Sequence, residues 1–112
     1  MSLVKLKEKL ANGELVEFEE VMKVIAENYQ YTPSRFVNGI DGDCIVNEAG
    51  ANEGSHKIFT FAKLNNLTEK QTLACFGKYY REDVLLNPDG QDHQNIRTFM
   101  KYGWQGVNLD NS

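Results

Sequence analysis

His93 is the side chain in this sequence best suited to move a proton. It stands three residues before Ile96 and four before Arg97, at the edge of the apolar stripe of a helix that the pattern begins at about Asp92. A neutral imidazole in that first turn would serve as a general base or as a hydrogen-bond donor. The structural alternative is a histidine that caps or packs, bonded to a loop carbonyl. Glu48 and Glu53 flank an Ala-Gly-Ala stretch, each preceded by an asparagine, Asn47 and Asn52. If that loop curls, two carboxylates approach one point, and with His93 or His56 they could ligate a metal through oxygen and nitrogen. The acidic residues lack EF-hand spacing and the two histidines are far apart in sequence, so Asx turns and helix-start carboxylates are the expected role. No metal and no cofactor are expected.

A third group lies on the helices that flank an Asn87-Pro88-Asp89-Gly90 turn. Tyr79, Tyr80 and Arg81 before it and Arg97 after it could clamp an anion or a carboxylate, or Arg81 and Arg97 could each hold an internal acid. Gln94, Asn95 and Asp92 crowd the same stretch without an evident surface role. The candidate ligand-binding set is therefore Asn47, Glu48, Asn52, Tyr80, Arg81, His93, Asn95 and Arg97, with His93, Glu48 and Glu53 as catalytic candidates. Trp104 reads as a lid on the core. Nucleophile elbows, phosphate loops, dinucleotide fingerprints and HExxH are absent.

These side chains must be positioned by one domain, because 112 residues suffice for a single core and are too few for two. A net charge of −4 without a basic run repels phosphate backbones and argues against nucleic acid as a partner. No apolar stretch reaches the roughly 18 residues a membrane span needs. Cys44 and Cys75 form neither a CxxC pair nor a disulfide framework, and no apolar secretory leader is visible. The expected compartment is the cytoplasm.

The element pattern is mainly α, about five helices, with a small β-hairpin or loop insert; an α+β arrangement is the variant. Ser2 caps a first helix carrying Leu3, Leu6 and Leu10, which Asn12-Gly13 ends. Phe18, Met22, Ile25 and Tyr29 make the stripe of a second helix from about Val16 to Tyr29. Arg35-Phe36-Val37 and Cys44-Ile45-Val46, with Asn38-Gly39 and Asp41-Gly42 between them, read as a hairpin. The polar segment from Asn47 to Gly54 reads as loop. Ser55 is expected to cap a third helix that buries Ile58, Phe61 and Ala62. Thr68 and Gln71 form a capping box for a fourth helix reaching Leu86, with Gly77 at a close helix crossing. The fifth runs from about Asp92 to Tyr102, buries Ile96, Phe99 and Met100 and ends at Gly103. Trp104 to Leu109 reads as a short docking strand. The loop from Asn47 to Ser55 is expected to pack on the start of the fifth helix, so that Glu48, Asn52, His93 and Arg97 face one cavity.

Three stretches, FEEVMKVIAENYQYTPSRFVNG, VNEAGANEGSHKIFTFAKLNNL and TLACFGKYYREDVLLNPDGQDHQNIRTFMKYGWQG, resemble the HopJ family of type III effector proteins. The resemblance runs along nearly the whole chain. This chain carries His56 where the family commonly has Cys in its GS-x-KIF motif. The family implies no established activity; its label implies secretion into a host. Residues 3 to 12, however, read as a core helix and not as an unfolded export signal. The leading expectation is a small non-enzymatic binding or interaction module, with a small-molecule or protein partner. The alternatives are a small enzyme with His93 as general base assisted by Glu48 or Glu53, and a secreted effector acting on a host target.

Overall fold

Ser2 opens the first helix as its sequence implies: its hydroxyl accepts from the Lys5 amide at 3.0 Å, and α1 runs Leu3–Ala11. The computed structural model of the protein describes residues 1–109. Leu6 and Leu10 point from α1 into the core, one helical turn apart on a single face. In α2 (Phe18–Asn28) the buried side chains are Val21, Val24 and Ile25. Phe18, Met22 and Tyr29 pack at the edge of the core, so the apolar face is centred one residue away from the stripe read in the sequence.

The hairpin is present. Strand β1 (Phe36–Ile40) pairs antiparallel with β2 (Asp43–Asn47), and Asp41-Gly42 makes the turn. Asn38-Gly39, expected beside the turn, lies within β1. The tail docks as β3 (Val107–Leu109) on the other side of β1, giving the order β2-β1-β3. The fold is thus mainly α with a small three-stranded antiparallel sheet.

Helix α3 (Glu53–Leu64) begins earlier than Ser55, with Asn52 as its cap residue. His56 lies on its buried face with Ile58, Phe59, Phe61 and Ala62. Phe59 is the centre of an aromatic cluster, with ring centroids 6.0 Å from Phe36, 5.8 Å from Phe76, 5.1 Å from Phe99 and 6.3 Å from Trp104. Trp104 closes this cluster and donates Nε1–H to the Leu67 carbonyl at 3.3 Å.

The fourth helix departs most from expectation. The capping box of Thr68 and Gln71 forms, but α4 covers only Glu69–Ala74. Gly77 takes φ +60°, which ends the helix, and the chain resumes as a π-helical segment, Tyr79–Val84. A Cβ on Gly77 would lie 2.7 Å from the Phe18 amide nitrogen. The glycine does mark a close approach, between a helix break and the start of α2 and not between two helix interiors. Leu85 and Leu86 lie on the surface. The last helix, α5 (Gln94–Tyr102), ends at Gly103 and is followed by one 3₁₀ turn, Gly103–Gly106. It buries Asn95, Ile96, Thr98 and Phe99, while Met100 is exposed. A polar residue, Asn95, takes the inward position in its first turn, because it meets other buried amides and not the apolar core.

Candidate functional site

Four asparagines fasten the 47–55 loop to the fifth helix. Asn95 Nδ2 donates to Asn47 Oδ1 at 3.0 Å and Asn47 Nδ2 donates back to Asn95 Oδ1 at 3.3 Å. Asn52 Nδ2 reaches Asn47 Oδ1 at 2.7 Å, and Asn38 Nδ2, from β1, reaches the Asn95 carbonyl at 2.8 Å. Asn38, Asn47 and Asn95 are buried, and such amides are tolerated inside a protein only when they satisfy one another. The loop therefore packs on the start of α5 as expected from its entropy cost, held by amides and not by a carboxylate at the helix end.

Beside this junction lies a cavity of about 340 Å³. Asn52, Gly54 and Ser55 line it from the start of α3; His93, Gln94, Asn95 and Ile96 from the start of α5. Phe18, Phe76 and Tyr79 supply aromatic wall, and Ile45 comes from β2. Asn52 and His93 are the cap residues of their helices. Both adopt left-handed backbone, φ 52° and 51°, and neither side chain caps its own helix. The first N–H groups of a helix have no intrahelical acceptor. At this cavity two such ends, with their positive dipole poles, meet at one space.

The His93 side chain turns to other partners. Its Nε2 lies 3.0 Å from Asp83 Oδ2 and 3.7 Å from Asp92 Oδ2, and its ring leans on Tyr79 at 5.2 Å. Asp83 belongs to the π-helical segment; the NPDG turn folds it back on α5. Its role was not visible in the sequence, where it is one more acid in a charged helix.

The remaining candidates lie elsewhere. Glu48 is exposed and stands 3.8 Å from Arg35. Glu53 is the exposed first residue of α3. Neither lines the cavity, so the acids beside His93 are Asp83 and Asp92 in their place. Arg81 donates to the Val16 carbonyl and to Glu17 Oε1, both at 2.8 Å, and ties the π-helical segment to the start of α2. Arg97 donates to Asp92 Oδ1 at 2.5 Å and to the Asn87 carbonyl at 2.9 Å. The two guanidiniums do not form a joint clamp, since each is taken up by its own acid and carbonyl. Tyr80 lines a separate groove with Val16 and Arg81.

Two further titratable groups, Cys75 and His56, are buried. Burial pushes the Cys75 thiol up to about 12, which leaves no thiolate at neutral pH. His56 stacks on Phe36 at 5.1 Å, and its Nδ1 lies 2.7 Å from the Tyr31 hydroxyl. No described helix is long and apolar enough to cross a membrane.

The model of the HopJ type III effector protein family matches residues 3–112, nearly the whole chain. The chain belongs to the HopJ family. The HopJ fold is also seen in the crystal structure of the unknown function protein VPA0580, which is 50% identical and superposes with a TM-score of 0.91 over 98% of this chain and 89% of that one. Among curated proteins none matches. Family membership thus secures the fold and leaves the activity to be argued from the cavity.

Proposed function

We propose that this HopJ-family protein is a small binding module whose cavity takes a small anion, a carboxylate or a phosphate group carried on a compact apolar body. The observation that carries this reading is the convergence of the α3 and α5 first turns on one cavity. Uncapped helix N-termini offer N–H donors and a positive pole to an anion without a cationic side chain. Phe18, Phe76 and Tyr79 would cover the apolar part. Isotope-labelled protein titrated with inorganic phosphate and with small aromatic carboxylates tests it. Saturable shifts of the Gly54, Ser55, Gln94 and Asn95 amides are expected; shifts that fail to saturate, or that fall elsewhere on the chain, would sink it.

The 3.0 Å contact between His93 and Asp83 favours a second reading, an enzyme in which Asp83 orients His93 as general base. Its site would be the same cavity, with Asp83 in the place expected for Glu48 or Glu53. Turnover of activated carboxylate or phosphate esters that is abolished by His93→Ala would favour it over simple binding.

The third reading, export as an effector, comes from the family description. Leu6 and Leu10 of α1 are buried in the core, which supports a protein that works folded where it is made.

A further inference from the structure

We propose that Asp83, Asp92 and His93 form a binding site for a divalent transition-metal cation of the zinc or manganese class, at the edge of the cavity. The proposal is independent of the anion reading. The three residues come from two segments, Asp83 from the π-helix and the consecutive Asp92 and His93 from the start of α5, and their ligand atoms all lie within 4.8 Å of one another. The two His93 spacings are near those of coordinated donors, and a donor pair at the full 4.8 Å would have to draw together around an ion. Two donors each about 2.1 Å from one ion stand roughly 3.0 Å apart at a right angle and roughly 3.4 Å apart at the tetrahedral angle. His93 Nε2 is 3.0 Å from one carboxylate oxygen and 3.7 Å from the other.

The donor set narrows the ion. One imidazole and two carboxylates suit zinc, manganese or ferrous iron better than calcium, which prefers a shell of oxygens alone. Three protein ligands leave coordination positions open, the arrangement of reactive metal sites as opposed to closed structural ones. Asp92 is prepared for the role. The Arg97 guanidinium bonds its Oδ1, leaving Oδ2 turned towards His93. Arg97 thereby orients a ligand in the manner of an outer-shell partner. Side-chain exposures of 30% for His93, 49% for Asp83 and 58% for Asp92 give an ion a path in. The ion would take the place of the proton that Nε2 shares with Asp83 in the metal-free protein. Because His93 also lines the cavity, the site would set a cation beside whatever the cavity holds.

The test uses tag-free, full-length protein in a Cys44→Ser background, which removes the exposed thiol. Titration calorimetry with zinc chloride and paramagnetic broadening by manganese chloride, each metal alone, read the site. One ion per chain is expected, with broadening centred on Asp83, Asp92 and His93. Affinity should fall at least about tenfold in His93→Ala and in Asp83→Asn. Asp83→Asn leaves the Arg97–Asp92 contact intact, and a melting curve for each variant confirms that it is folded. Asp89→Asn, a nearby exposed acid outside the trio, should bind as before. Absence of binding below millimolar metal, or affinity unchanged by His93→Ala and Asp83→Asn, overturns the proposal.

Discussion

Asn95 and Asn47 bond each other in both directions, at 3.0 and 3.3 Å, across the junction between α5 and β2. Each amide is both donor and acceptor to its counterpart, so removing either takes two hydrogen bonds from the other, while Asn52 still donates to Asn47 Oδ1 and Asn38 to Asn95 Oδ1. Asn95→Ala should therefore destabilise the protein by about 1–3 kcal/mol, the loss of two buried hydrogen bonds at about 0.5–1.5 kcal/mol each. Asn47→Ala should cost as much, and the double variant less than the sum of the two. Urea denaturation of the three proteins measures this; strict additivity would show that the pair is not coupled.

Gly77 supports a second prediction. With φ +60° and a virtual Cβ 2.7 Å from the Phe18 amide nitrogen, any side chain there meets a strained backbone and an occupied space. Gly77→Leu should lower stability by roughly 2–5 kcal/mol, combining the left-handed penalty with overpacking. Thermal unfolding decides. A melting temperature at or above that of the parent would mean the contact with α2 is absent in solution.

His56 makes stability depend on pH. Burial holds its pKa below the ordinary 6.5, with the Glu53 carboxylate opposing the shift. The unfolded chain therefore takes up a proton first as pH falls. His56's contribution is fully present above about pH 6.5 and is lost as pH drops from there through the folded-state value. Unfolding free energies at pH 7.5 and pH 5.5 should differ more for the parent than for His56→Gln, whose amide can still meet the Tyr31 hydroxyl. Equal slopes would mean that the ring is not buried as described.

Export can be examined directly. A reporter joined after Gln30 carries α1 and α2, and it should stay inside cells that operate a type III needle. Needle-dependent release of that fusion would establish that the segment is an export signal and reverse the reading of α1 as a core element.

The parts of the fold that were legible in the sequence are those set by neighbours in the chain. Ser2 and the Thr68–Gln71 box cap their helices, Asp41-Gly42 turns the hairpin and Gly103 ends α5, each through bonds that reach only a few residues. Gly77 was misplaced because its conformation answers to the Phe18 backbone, which sequence spacing does not reveal. His56 is likewise buried by partners distant in sequence, the Phe36 ring stacked on it and the Tyr31 hydroxyl at its Nδ1. Of the four residues expected to face one cavity, Asn52 and His93 line it and Glu48 and Arg97 do not. Asp83 was missed because its partner lies across a turn, whereas Arg81 and Arg97 each hold an acid, Glu17 and Asp92, as the alternative to a joint clamp had it, and Glu48 stands by Arg35 outside the cavity.

Trp104 is the sole tryptophan, wedged against Phe59 and Phe99 with its indole N–H bonded to Leu67. It lies outside the lining of the cavity that His93 shares. Its fluorescence is thus a built-in gauge of whether the C-terminal segment is seated on the aromatic cluster, and it should stay dark to occupancy of the cavity. A ligand screen read by tryptophan emission alone would record silence even with the cavity filled, and Tyr79 in the cavity wall is the residue to watch instead.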